Sequence, residues 1–365
     1  MTNQTVQKWN MVTLKDAVTF RTGKLNSNAA TKNGKYPFFT CSQDVYKTDT
    51  YSFDTECVLL GGNNADAIYP IFYFKGKFDA YQRTYVIESK DNNIRFLYYA
   101  LTEKLNELRS RSTGSATKFL TLKILNQIPV SLPDYSTQHR IADILSSYDD
   151  LISINNERIA ILEQLVIKIY EEWCIKEKAE TQTITLGEIA SLVRKKYDEA
   201  RDNKLPLVDM SRMKSGSLSM TNYGSASELS TSRILFEIND ILFGSIRPYL
   251  HKVALAAFSG VTNTSVFVIR AVEKRFQPVL VVILFRKETI QWATQYSTGT
   301  KMPVIKWDYL KTMPIIIPSG KYLERFTEII SPILEHITTL SRENRGLKTS
   351  RDLLIPKLVN AEIKV

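Results

Sequence analysis

Two stretches of this chain repeat one another about 185 positions apart, and a chain that uses one unit twice is constrained to fold as two similar domains. Ser112-Thr113-Gly114-Ser115 recurs as Ser297-Thr298-Gly299-Thr300. The segment Ile128-Pro129-Val130-Ser131-Leu132-Pro133 recurs as Met313-Pro314-Ile315-Ile316-Ile317-Pro318 at an offset of 185. Upstream, Leu59-Leu60-Gly61 resembles Leu242-Phe243-Gly244, and Tyr85-Val86-Ile87 resembles Phe267-Val268-Ile269. Val12-Thr13-Leu14-Lys15-Asp16 likewise resembles Ile184-Thr185-Leu186-Gly187-Glu188. The unit is a mixed domain followed by a long helical pattern.

Local patterning fills in each unit. Strand-like alternation runs over Tyr69 to Phe74, Tyr81 to Glu88, Ile234 to Leu242 and Val261 to Arg270. A helix is expected over Ile94 to Leu108 in the first unit, and from Pro278, a residue suited to a first helical turn, to Tyr296 in the second. The expected division is a first globular block 1–135, a central helix 136–180, a second block 181–318 and a C-terminal helix 319–365.

The helical stretches carry heptads. Leu145, Ile152, Ile159, Val166 and Trp173 form one row of the first, and Ile141, Tyr148, Asn155, Leu162 and Ile169 the other. The second has Leu323, Ile330, Ile337 and Asn344 beside Phe326, Ile333, Leu340, Leu347 and Leu354. Two apolar rows over four heptads mark a coiled-coil seam. A helix of ~40 residues spans roughly 60 Å at 1.5 Å per residue. Asp143, Asp149 and Asp150 near the start and Lys176 and Lys178 near the end of the first suit the helix dipole. Asn155 either fixes the register of the seam or faces solvent. Pro332 should kink or restart the second helix, and Gly346 weakens it. Each seam needs an apolar partner, and the other seam can supply it. Antiparallel packing would make an α+β molecule: two similar mixed α/β domains joined by two long helices, with approximate two-fold symmetry. Alternatively, each helix only covers its own domain.

Charge is distributed to match. Residues 1–135 hold 17 basic and 12 acidic side chains, and 181–318 hold 18 and 11; the stretch 136–180 between them holds 5 and 9. The positive excess behind the net charge of +10 therefore lies in the two globular blocks, where it would attract a polyanion such as DNA. The three cysteines, Cys41, Cys57 and Cys174, form no CxxC pair, which suits a reducing cytoplasm and offers no zinc site. The start MTNQTVQKWN has no signal pattern, and the longest apolar run, Val279 to Phe285, falls far short of the ~20 residues of a membrane span. A soluble cytoplasmic protein without a membrane contact is expected.

Motif order, the duplication and local words together resemble the specificity subunits of type I restriction-modification enzymes, across essentially the whole chain. The carriers are Ile128-Pro129-Val130-Ser131-Leu132-Pro133, Gln138-His139-Arg140-Ile141-Ala142-Asp143-Ile144-Leu145 and Asp149-Asp150-Leu151-Ile152. The Ser-Thr-Gly loop and Asp240-Ile241-Leu242-Phe243-Gly244-Ser245-Ile246-Arg247-Pro248-Tyr249 complete them. The second helical segment departs from the pattern, with Leu323-Glu324-Arg325-Phe326 where the first has Gln138-His139-Arg140-Ile141, which leaves its start and straightness open. The resemblance implies two target-recognition domains, each reading one half of a split double-stranded DNA site. The helix pair would set the gap. Two modification (methyltransferase) subunits and, in the full complex, restriction-translocation subunits would be its partners.

The residues themselves carry little chemistry. The chain has no Pro-Pro, so the Asn/Asp-Pro-Pro-aromatic loop of an adenine methyltransferase is missing. Gly-Lys at Gly23, Gly34, Gly76 and Gly320 has no glycine five residues earlier, so there is no phosphate-binding P-loop. His139, His251 and His336 have no metal-binding neighbours at helical spacing. No catalytic residue, metal or cofactor is expected. The rival readings are a stand-alone nuclease or methyltransferase with duplicated recognition domains, and a helical scaffold that does not read sequence.

Reading DNA takes Arg or amide side chains at base edges, with Lys, hydroxyls and backbone amides on phosphate. The loops beside the strands supply such groups: Asn63, Asn64, Gln82, Arg83, Ser112, Thr113 and Lys118 in the first block, and Arg212, Lys214, Ser245, Arg247, His251, Thr298 and Lys301 in the second. Gly114 and Gly299 would permit close backbone approach. Arg247, just ahead of Pro248, stands out; the competing role is an internal pair with a carboxylate.

Overall fold

A computed structural model describes residues 9–65, 67–114, 117–176, 179–198, 204–228 and 232–365. Ser115 of the first Ser-Thr-Gly loop and Lys178 lie outside the described residues. The chain divides into two units, Met1–Asp150 with Thr349–Val365, and Leu151–Lys348.

In the first unit, the strand Phe53–Gly61 ends in an unbroken apolar run, Cys57 to Leu60, because both of its faces are covered there. Val58 and Leu60 face helices Ile94–Glu103 and Leu122–Asn126 in a core with Phe96, Leu97, Leu101 and Leu125. Cys57 and Leu59 point the other way, into a cluster of Phe39, Phe53, Phe78 and Val86. This strand centres a six-stranded sheet, ordered Val18–Thr22, Thr84–Ser89, Phe53–Gly61, Ile71–Ala80, Tyr36–Phe39, Tyr46–Thr48. All neighbours are antiparallel except Tyr36–Phe39 on Ile71–Ala80. The prolines around 129–133 frame a strand, Pro129–Leu132, that pairs antiparallel with Asn10–Thr13.

The second unit repeats that closing pair: Thr181–Thr185 lies antiparallel to Pro314–Pro318. Its body holds two four-stranded sheets. One is ordered Ala190–Val193, Val266–Ala271, Ile241–Gly244, Val253–Leu255; the other Gly224–Ser225, Pro206–Leu207, Gly260–Asn263, Arg233–Phe236. The apolar run that was too short for a membrane is a core helix, Gln277–Phe285, buried all round from Pro278 onward. Among the described residues, no helix is long and apolar enough to cross a membrane.

Several elements are more broken than their sequence pattern suggests. The run Ile234 to Leu242 is two strands, because Asp240, 1% exposed, accepts a forked pair of bonds from Arg270 at 2.6 and 2.8 Å. Its carboxylate also takes the Glu237 N–H, and Asn239 turns the chain with φ +72°. The run Val261 to Arg270 breaks where Asn263 Oδ1 accepts the Ser265 N–H at 3.0 Å. Each expected short helix is two: Ile94–Glu103 then Leu105–Arg111, and Gln277–Phe285 then Lys287–Gln295. At the second break Arg286 is extended, its guanidinium 4.7 Å above the Tyr170 ring.

The central helix runs Tyr135–Tyr170 and continues as a π turn over Glu171–Ile175. Asp134 starts it, accepting the Thr137 N–H at 3.0 Å and the Thr137 hydroxyl at 2.8 Å. These bonds hold the Asp134 carboxyl below the usual range. Gln138 is buried and joins helix to domain: it donates to Asn92 Oδ1 and the Pro133 carbonyl and accepts the Asn93 N–H. Its counterpart Leu323 is buried too, by packing instead of bonding.

The C-terminal helix runs Gly320–Val359 without the restart expected at Pro332. Loss of one N–H bond is outweighed by packing on both sides of it, through Phe326, Ile330, Leu334, Ile337 and Leu340. In the second unit these residues share a core with Ile159, Leu162, Val166 and Ile169. Asn155 meets Asn344 and Tyr170 meets Phe326, so the helices run antiparallel there. In the first unit Ile141, Ala142 and Leu145 pack with Ile355, Leu358 and Val359, and Arg351 pairs with Asp149. Asn155 is not on a solvent face: it is 6% exposed and its amide donates to Asn344 Oδ1 at 3.0 Å. Tyr148, Ile152, Ile333 and Leu347 of the seam are half-buried.

Candidate nucleic-acid interface

Each Ser-Thr-Gly loop is the tip of a small hairpin. Thr113 and Phe119 exchange backbone bonds at 3.1 and 2.7 Å; Thr298 and Val304 do so at 3.0 and 2.9 Å. The glycine at each tip is left-handed, Gly114 with φ +110° and Gly299 with φ +100°. A Cβ on Gly114 would stand 2.1 Å from the Thr117 carbonyl oxygen, so the turn demands glycine.

These hairpins are zipped to the end of a central strand by one shared pattern. In the first unit Leu120 N–H donates to the Gly62 carbonyl, and Gly62 N–H to that of Arg83, both at 2.8 Å. In the second, Ile305 N–H donates to the Ser245 carbonyl at 3.0 Å and Ser245 N–H to that of Ser265 at 2.8 Å. Beyond these points Asn63 pairs with Phe119 and Asn64 with Lys118. Correspondingly Ile246 bridges Val304, and Arg247 N–H donates to the Pro303 carbonyl at 2.7 Å. Position by position, Asn64 therefore corresponds to Arg247, Lys118 to Pro303 and Arg83 to Ser265. The same backbone platform carries different side-chain chemistry in the two units.

In the first unit the platform gathers Asn63, Asn64, Arg83, Thr113, Gly114 and Lys118. Arg83 is exposed and lies over the Phe119 ring, 5.3 Å from its centroid. Asn63 Oδ1 is buried without a hydrogen bond, and Asn64 Oδ1 accepts the Ile68 N–H at 3.2 Å. Gln82 is exposed on the adjoining turn, its N–H held by the Leu25 carbonyl. Ser112 stands apart, its hydroxyl bonding back to the Arg109 carbonyl at the end of a helix. Phe119, which positions Arg83, was missed; it is the residue after Lys118, and its offset of 185 from Val304 marks it.

In the second unit Ser245, Arg247, Thr298 and Gly299 come together, with Lys301 exposed on the hairpin. Ser245 is 2% exposed and its hydroxyl is satisfied by the Ser265 carbonyl, so it shapes the platform from inside. Arg247 is exposed in a left-handed conformation, φ +49°, opening the turn Pro248–Leu250. It makes no close ion pair among the described residues, and a strained non-glycine backbone of this kind is characteristic of functional sites. His251 closes the turn, also left-handed, and its Nε2–H donates to the Phe285 carbonyl at 2.8 Å. Burial holds its pKa below the ordinary imidazole value, so its ring is a neutral structural post. Arg212 is clamped by Asp209, at 2.7 Å, and by Glu228. Lys214 is exposed on the same loop. Tyr249 and Met302, both about half exposed beside Arg247 and Lys301, were missed because loop aromatics and methionines have no periodicity to mark them.

Such surfaces can hold phosphate through backbone N–H groups, hydroxyls and lysines and present amide or guanidinium groups to base edges. Among the described residues, no group of three or more His, Cys, Asp or Glu could hold a metal ion.

Comparison with known proteins adds four findings. Residues 6–164 match the type I restriction modification DNA specificity domain. The specificity subunit of the type I restriction enzyme EcoDI of Escherichia coli is 25% identical, over 92% of this chain and 83% of that protein. The MjaIX specificity subunit of Methanocaldococcus jannaschii is 23% identical, over 74% of this chain and 69% of that one. The fold is similar to the crystal structure of a type I restriction-modification S subunit from M. genitalium, with a TM-score of 0.56 at 17% identity, covering 98% of this chain and 97% of that one.

Proposed function

We propose that this chain, which is similar over most of its length to type I restriction-modification specificity subunits, directs a modification and restriction complex to a split DNA sequence while doing no chemistry itself. Block 1–135 reads one half-site and block 181–318 the other. The helices of 136–180 and 319–365 set the gap between them. The observation that carries this reading is the twice-built platform, one backbone pattern holding Asn64 and Lys118 in one block and Arg247 and Pro303 in the other. A constant scaffold with variable tips is what two different half-sites require. Two methyltransferase subunits dock on the helices, and restriction-translocation subunits join them, in the cytoplasm. The central helix supports such docking with an outward apolar stripe, Leu151, Ile154, Ile161 and Leu165, each 42–65% exposed.

The test is the methylated-base map of cells expressing the complex, with and without this gene. Loss of one split motif with a fixed gap is the expected result. A map that does not change in cells where the modification subunit is expressed would refute the reading.

A further inference from the structure

The central helix carries one carboxylate where an apolar side chain would pack as well. Glu163 is 5% exposed, on the same helix as buried Ile159, Val166 and Tyr170. Among the described residues it forms no close ion pair; Lys214 acts on it from further off. Its Oε1 instead accepts two bonds from one loop, the Ser217 hydroxyl at 2.8 Å and the Leu218 N–H at 2.6 Å. Ser217 Oγ lies 3.0 Å from Ser219 Oγ and also accepts the Ser219 N–H at 3.2 Å. A carboxylate buried without a cation is unfavourable for stability, and a well-packed apolar residue would serve stability better.

What the bonds do achieve is position. The loop Asp209–Met220 buries Met213, Leu218 and Met220 and leaves Ser211, Lys214 and Ser215 exposed. Its far side is fastened to the turn that presents Arg247. Gly216 N–H donates to the His251 carbonyl at 2.8 Å, and Lys252 Nζ to the Met213 carbonyl at 2.5 Å. One helix carboxylate thus anchors a loop that is bonded to the far end of the turn carrying the exposed arginine.

We propose that Glu163 is a positioning residue for recognition of one half-site: it ties the loop Asp209–Met220, and through it the Arg247 turn, to the central helix. The inference rests on the reading that block 181–318 contacts DNA. It identifies a specificity determinant on the helix, outside the loops that would touch bases.

The experiment is to express the whole complex with Glu163→Ala, Glu163→Gln or Ser217→Ala and to map the methylated motif. Glu163→Ala and Ser217→Ala should relax discrimination about tenfold at base pairs of one half-site, the scale of one lost base contact. The other half-site and the gap should stay as in the wild type. Glu163→Gln, which keeps an acceptor oxygen, should restore most of the discrimination. A motif that stays sharp in all three variants would overturn the proposal. So would loss of both half-sites together, which would mark Glu163 as a residue of general stability. A wild-type complex that marks no split motif would refute the underlying reading, and is distinguished because it needs no variant.

Discussion

The two asparagines of the helical seam lead to a quantitative expectation. Asn155 and Asn344 are 6% and 1% exposed, and each is the asparagine that interrupts an apolar heptad row. Asn155 donates to Asn344 Oδ1 at 3.0 Å, and Asn344 donates to Asn156 Oδ1 at 3.2 Å. Asn344→Leu removes the closer of two acceptors of the Asn155 amide and leaves it only Glu343 Oε2, at 3.5 Å, which should cost about 1–3 kcal/mol. Asn155→Leu should cost a similar amount from the other side. The double leucine variant removes both polar groups and extends the apolar seam, so it should unfold within about 1 kcal/mol of the wild type or be more stable. The coupling energy of the cycle, the two single losses less the change in the double variant, is then at least about 1 kcal/mol. Trp173 packs on Phe326 in the same seam, with ring centroids 5.9 Å apart, and reports on it. Urea unfolding followed by Trp173 fluorescence, with Trp9, Trp292 and Trp307 replaced by Phe, gives the midpoints. If the two single losses simply add in the double variant, the amides are not partners and the argument fails. A coupled pair has a further meaning: sliding the helices by one heptad would part the two amides, so the pair favours one register.

Further expectations concern the loops and the thiols. Arg247→Ala should weaken discrimination at a single base pair by about 1–3 kcal/mol; uniform weakening on all DNA would make it a phosphate contact, and no change would remove it from the interface. Gly114→Ala should destabilise the first hairpin by more than about 1 kcal/mol, since its φ of +110° and the nearby Thr117 carbonyl both oppose a Cβ; a methylation motif unchanged in both half-sites would count against that hairpin as a reading element. Burial pushes the Cys57 and Cys174 thiols up to about 12, so both should resist alkylation at pH 8, where too little thiolate exists. Half-buried Cys41 should label first, as read by mass spectrometry of peptides.

Much of this was legible because it is local or periodic. Seven-residue spacing located the seam, and the repeated Ser-Thr-Gly words and framing prolines marked the two loops and the segment that follows each. Those signals survive folding because turn chemistry and amphipathic faces act over a few residues. Of the candidate readers, Asn63, Asn64, Arg83, Thr113, Gly114 and Lys118 come together in one unit, and Ser245, Arg247, Thr298 and Gly299 in the other. Ser112 and His251 turn their polar atoms to nearby carbonyls instead, and Ser245 lies within its platform with its hydroxyl on the Ser265 carbonyl.

The sequence by itself determined the duplication, the two long helices and the places where loops would cluster, since each depends on neighbours within a turn or a heptad. Only the tertiary structure decided that Asp240 ends a strand by capturing Arg270, thirty residues away. It alone decided that Arg212 is held by Asp209 and Glu228 while Arg247 stays exposed, and that Glu163 turns from solvent to a loop more than fifty residues distant. Charge pairing and burial between remote residues depend on which surfaces meet, and no periodicity along the chain records that.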